Sequence, residues 1–168
     1  ELHVYDDSEF LLESCLMFDK DNFDVALDYI DVLIKRQKYA KALEEAEKLY
    51  KKDKDNLRFM IAYAVTLQQT NKQEEALELY NKILNVDKKN PEILVSKGHL
   101  QKTFGDLKGS IDSYKKSYKI DQYYGDAYWS LANLKTYEFN DEEIKQLEKM
   151  TKDEFINDNE KIYMSFAL

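Results

Sequence analysis

The chain has 168 residues, and its 25 Lys+Arg against 33 Asp+Glu leave a net charge of −8. Hydrophobic residues make up 43% and mean hydropathy is −0.68, which is enough apolar content for one ordinary core beneath a large solvated surface. Four Gly and one Pro supply too little turn chemistry for an all-β or doubly wound fold, so the chain should be nearly all helix.

Other classes fall to similar arithmetic. The longest apolar run, Phe59 to Val65, is far shorter than the roughly 20 residues a membrane span needs. The N-terminal Glu-Leu-His-Val-Tyr-Asp-Asp shows no basic patch followed by an apolar stretch, so no signal peptide is expected, although a removed one would leave no trace. The single cysteine, Cys15, permits no internal disulfide and points to a reducing, cytoplasmic setting. Basic residues are interspersed with acids, which disfavours nucleic acid as a partner. His3, His99 and Cys15 are isolated and no pair has ligand spacing, so neither metal nor cofactor is expected. Asp19-Lys20-Asp21 and Asp53-Lys54-Asp55-Asn56 lack the Gly of a calcium loop and place Phe23 and Leu57 at a ligand slot, so they read as turn acids.

In chain order, the dominant signal is a repeat. Asp19, Asp53, Asp87 and Asp121 are each separated by 34 residues, and Asn22, Asn56 and Asn90 keep the same step. Residues 1–22 read as the second helix of a preceding unit, with Phe10, Leu11, Leu12 and Cys15 on its apolar side. Residues 23–56, 57–90 and 91–124 each read as a helical hairpin. In the middle one, Met60, Tyr63, Ala64 and Leu67 share one helical face, and Ala76, Leu77, Tyr80, Ile83 and Leu84 share another after the break at Asn71-Lys72-Gln73. Asn22, Asn56 and Asn90 should cap the helices that follow them, with Pro91 at a first helical position. Residues 125–150 form an atypical unit in which Asn140 should cap a helix with Glu143 completing a capping box. Residues 151–168 begin a further helix. Both ends cut across the pattern and leave apolar residues such as Ile162, Phe166 and Leu168 unpaired, which implies a piece of a longer protein or ends able to self-associate.

The columns Ile30, Ala64, Gly98, Ala132 and Ala42, Ala76, Ser110 set small or tight residues at fixed points of each hairpin, and in this the chain resembles the tetratricopeptide-repeat family. That resemblance implies an all-α, right-handed superhelical solenoid of antiparallel helix pairs, noncatalytic in itself and used to bind a protein or peptide. Lys97 stands where the family usually has Leu, and Gln101 and Lys135 where an aromatic or Leu is common. Residues 127–136, Ala-Tyr-Trp-Ser-Leu-Ala-Asn-Leu-Lys-Thr, with 137–150 and 162–168 after them and Gly98-His99 and Lys102-Thr103 upstream, look like the junction of bacterial proteins that carry such repeats ahead of a sulfotransferase domain. This second resemblance implies a larger parent that transfers a sulfuryl group from 3′-phosphoadenosine-5′-phosphosulfate. The chain itself has no Pro-Arg-Ser-Gly-Thr-like phosphate loop, so no catalytic residue carries over.

The resemblance also implies a concave face built from first helices. Its candidate partner-binding residues here are Arg58, Gln68, Gln69, His99, Lys102, Trp129, Asn133 and Tyr137. A chaperone-type carboxylate clamp is not expected, since Leu27, Asp31 and Ala62 occupy three of its positions. Trp129, Tyr137, His99, Asn133 and Lys102 suit an aromatic and polar peptide pocket, and they equally suit packing against a neighbouring element. The two resemblances thus imply an interaction scaffold that recruits or positions an acceptor for a linked, sulfotransferase-like domain, with a stand-alone adaptor or oligomerisation module as the alternative.

Overall fold

The computed structural model describes residues 2–168, with side chains from Tyr5 onward. Within the described residues the chain is helical throughout: α1 (Leu2–Phe18), α2 (Phe23–Lys35), α3 (Tyr39–Lys52), α4 (Leu57–Gln69), α5 (Gln73–Val86), α6 (Pro91–Thr103), α7 (Leu107–Ile120), α8 (Gly125–Ala132), α9 (Asp141–Met150) and α10 (Asp158–Ala167). They fall into two compact units, Glu1–Leu79 and Tyr80–Leu168, with the boundary inside α5.

Local chemistry starts and stops these helices at a fixed step. The Asn22 side chain accepts from Val25 N at 3.2 Å, Asn56 from Arg58 N at 3.1 Å, and Asn90 from Ile93 N at 3.1 Å. The first helix of each hairpin ends on a left-handed residue: Gln37 (φ 58°), Asn71 (φ 63°) and Gly105 (φ 80°) keep the 34-residue step. Beyond each of them a backbone N–H reaches back across the helix end, Lys38 to Leu33 O at 2.8 Å, Lys72 to Leu67 O at 3.0 Å and Asp106 to Gln101 O at 2.8 Å.

In the first unit, Tyr29, Ile30 and Leu33 of α2 meet Ala42, Ala46 and Leu49 of α3, with Phe59 of α4 and the α1 residues Leu12 and Leu16 closing the core. Helix α1 is also held electrostatically. Its Glu9, 5% exposed, accepts from Lys38 Nζ at 2.8 and 2.9 Å and from the Arg36 guanidinium, and Lys41 Nζ lies 3.8 Å away. Burial pushes the Glu9 carboxyl up, but the Lys38 hydrogen bond and the charges of Lys38, Arg36 and Lys41 together hold it below its ordinary value.

In the second unit, α6 and α7 form a tight pair around Gly98 and Tyr114. A Cβ on Gly98 would lie 2.5 Å from Tyr114 Cε1, so the absent side chain is the space the ring occupies. The first unit solves the same problem the other way round, with Ile30 on the first helix and Ala46 on the second. Three residues unusual among the repeat's columns also find places. Gln101 accepts from Ser113 Oγ at 2.5 Å and donates to Asp106, Lys97 is half-buried, and Lys135 is left-handed at φ 55°.

Lys135 explains the atypical unit. It ends α8 four residues before Phe139, where the step from Gly105 would place the stop, so α8 has 8 residues where α6 has 13. The released segment folds back, with Phe139 against Tyr128 and Tyr137 edge-on to Phe139 at 5.2 Å. Asn140 and Glu143 then form the expected capping box and start α9. Helix α10 packs on α8, closely enough that a Cβ on Gly125 would meet Glu160 O at 2.6 Å.

Gly98→Ala should therefore cost about 1–3 kcal/mol of stability, because the buried Tyr114 ring has to move to admit one methyl. Urea unfolding at fixed pH measures this, and an unchanged midpoint would show that the ring is not confined.

Candidate functional site

The candidate site of the second unit lies on the faces of α6, α8 and α10 that the 34-residue step brings into line. Glu92, Asp126 and Glu160 occupy one column, and Val95, Trp129 and Tyr163 the next. Burial, together with the charges of Asp126, Glu92 and Glu160 and the Tyr163 phenol, raises the Tyr124 phenol well above its usual range, and the Gly125 N–H donates to Glu160 Oε2 at 2.5 Å, which ties α8 to α10. Trp129 and Tyr163 meet edge to face at 6.0 Å, and each keeps more than a third of its surface open, 37% and 38%. Two half-open rings beside carboxylates give an apolar platform with a polar edge.

Beside them runs a short polar relay. His99 Nε2 is 3.0 Å from Ser130 Oγ, and Ser130 Oγ donates to Asp126 Oδ1 at 3.0 Å. Because the serine proton goes to the carboxylate, Oγ accepts from an Nε2–H, and His99 is the neutral Nε2–H tautomer. Burial lowers the His99 pKa, Asp126 opposes the shift, and Lys102 adds to it. The order Asp–Ser–His leaves the imidazole unable to deprotonate the hydroxyl, and Ser130 is itself buried. The relay therefore fixes donors and acceptors rather than activating a nucleophile. His99 also rests edge-on against Tyr114, ring centroids 5.6 Å apart, and burial raises the Tyr114 phenol strongly. Its hydroxyl has no hydrogen-bond partner among the described residues.

The remaining sequence candidates are distributed as follows. Lys102 and Asn133 are exposed, the latter at the C-terminal cap of α8. Tyr137 is engaged elsewhere: its hydroxyl donates to Glu143 Oε1 at 2.7 Å and accepts from Lys115 Nζ at 2.9 Å. Tyr118 OH also donates to Glu143 Oε1, at 2.6 Å, so this carboxylate ties α7, the 133–140 segment and α9 together. Burial raises the Glu143 pKa, but the hydrogen bonds from Tyr118, Asn140 N and Tyr137 and the charge of Lys115 bring it below the ordinary value. In the first unit, Arg58 Nη1 pairs with Asp24 Oδ1 at 2.6 Å, Gln68 is half-buried and Gln69 is exposed. Sequence reasoning missed Tyr163 and Glu160 as site members. The signal was present, since each lies one 34-residue step beyond Trp129 and Asp126. Only the structure shows the bond of Ser130 to His99.

Stacked antiparallel helix pairs with cross-packed small and large columns define a tetratricopeptide-repeat type of fold. The sequence model of the family described as tetratricopeptide repeat matches residues 33–97. Among solved structures, TTC0263, a thermophilic tetratricopeptide-repeat protein of Thermus thermophilus, superposes with a TM-score of 0.75 at 17% identity, covering 99% of this chain and 91% of that one. MamA of AMB-1 gives a TM-score of 0.65 at 20% identity, covering 99% and 89% of the two chains. MamA of MSR-1 gives 0.63 at 17% identity, covering 99% and 88%. No curated protein matches the sequence. No helix among the described residues is long and apolar enough to cross a membrane.

In a proton NMR titration, His99 should ionise below the ordinary value of 6.5. A folded-state pKa below the unfolded one means that protonation favours unfolding, so His99's contribution to stability is present above about pH 6.5 and is lost as pH falls through the folded value. A midpoint at or above 6.5 would contradict the burial described here.

Proposed function

We propose that the chain is a noncatalytic scaffold that binds a protein or peptide segment on the α6–α8–α10 face. The observation that carries this reading is the Trp129–Tyr163 pair, two aromatic rings in edge-to-face contact yet left more than a third open, with Asp126 and Glu160 each three residues before them on the same helices. Large rings held in one place lose little conformational entropy on binding, and such residues dominate interface energetics. His99 and Asn133 supply polar contacts at the edge of this platform. The unpaired Cys15 suits a reducing cytoplasmic compartment.

The finer reading places this scaffold beside a sulfotransferase domain, where it recruits or positions the acceptor. Its support is the similarity of residues 127–150 and 162–168 to such junctions. Sequencing the parent gene past Leu168 tests it: a strand followed by a Pro-Arg-Ser-Gly-Thr-like loop would uphold it, and an open reading frame without one would leave an adaptor.

Trp129→Ala should weaken capture of the partner by about tenfold or more while helix content by circular dichroism is unchanged. A matched fall in thermal stability with no loss of binding would assign Trp129 to packing against Tyr163 instead.

A further inference from the structure

A second surface of the second unit bears the opposite charge. Leu84, Leu94 and Ile120 floor a cleft of about 370 Å³ rimmed by Lys88, Lys97, Lys116 and Lys119, in a protein whose net charge is −8. The first unit has a cleft at the same register, about 310 Å³, where Leu16, Lys20, Ala26, Tyr29 and Lys48 stand two 34-residue steps before Leu84, Lys88, Leu94, Lys97 and Lys116.

The clefts differ in how their lysines are neutralised. In the first unit, Lys48 pairs with Glu44 at 2.8 Å and Glu45 at 2.9 Å, Lys51 with Glu47 at 3.0 Å, and Lys52 with Asp21. Two steps on, the positions of Asp21, Glu45 and Glu47 are taken by Lys89, Ser113 and Lys115, and only Glu44 keeps an acidic counterpart, Asp112. Asp112 pairs with Lys116 at 2.6 Å, while Lys88, Lys97 and Lys119 make no ion pair among the described residues. Lys97 is also half-buried at a position where the other repeats place Tyr29, Tyr63 and Leu131. Burial and the neighbouring Lys116 lower its pKa by more than the charges of Asp112 and Asp106 raise it, so the ammonium there is held at a cost that an incoming anion would relieve.

We propose that the cleft formed by Leu84, α6 and α7 is a docking site for an acidic peptide segment with an apolar anchor side chain, whose carboxylates supply the charges that the first unit carries within itself. The cations come from three elements, the turn after α5, α6 and α7, which suits several carboxylates along a chain better than one small anion. The apolar floor takes the anchor. An anionic membrane is the less fitting occupant, because a body of net charge −8 is repelled by such a surface. This site is separate from the Trp129 face and does not depend on what binds there.

The test is fluorescence anisotropy with a labelled Glu-Asp-Leu-Glu-Asp-Leu peptide and its amide analogue Gln-Asn-Leu-Gln-Asn-Leu, run at low and high salt with the full chain. The acidic peptide should bind in a salt-sensitive way and the analogue should not. Lys97→Tyr, which installs the first-unit residue, and the exposed double change Lys88→Glu with Lys119→Glu should each weaken binding about tenfold or more, with the thermal melt maintained. Lys20→Glu, in the first-unit cleft, should leave binding unchanged. Equal binding of both peptides, or acidic-peptide binding indifferent to both sets of lysine changes, would overturn the proposal. So would lysine-dependent binding to phosphatidylserine vesicles by a chain that ignores the acidic peptide.

Discussion

Close approach of paired helices is the constraint on which the other features rest. Two helices can share a hairpin only if one of them yields volume at the crossing, and the two units meet this demand with opposite assignments, Ile30 against Ala46 and Gly98 against Tyr114. Once that crossing is set, the Asn caps and left-handed stops place the ends of each helix, and the face left over becomes the surface on which functional groups are displayed. His99, whose ring meets that of Tyr114 edge-on, is placed by the same crossing.

The repeat was legible in the sequence because its punctuation is chemical. Asp in the turn and Asn at the start of the following helix leave marks at a constant step, and the caps at Asn22, Asn56, Asn90 and Asn140 formed as their side chains required. The early end of α8 was harder to see. Lysine has no special preference for the left-handed region, so Lys135 gave no warning; the packing of Leu134, Tyr137 and Phe139 holds it there. The candidate site was half legible for the same reason. Exposed aromatics in periodic columns can be counted, whereas the bond between His99 and Ser130, or the capture of Tyr137 by Glu143, depends on side-chain direction, which spacing alone does not encode.

The two polar networks have different characters. Glu143 gathers hydrogen bonds from groups that are mostly neutral and stabilises an irregular stretch of backbone that has lost its helix. The lysine cleft of the second unit is an unbalanced network, with charges arranged as though a counterpart were owed. Divergence among repeats of one chain makes this visible, because the first unit serves as its own reference.

Glu9 carries a further implication. Repeats that resemble one another invite a helix to dock on the wrong copy, and apolar contacts alone discriminate poorly among similar grooves. The cations that receive Glu9 come from Arg36, Lys38 and Lys41; one step along, those positions are Thr70, Lys72 and Glu75, and two steps along they are Phe104, Asp106 and Gly109. A misplaced α1 would strand a desolvated carboxylate without adequate compensation, or set it beside another acid. Buried Glu9 with its three cations thus acts as an address label, readable at one location in the array and penalised at the others.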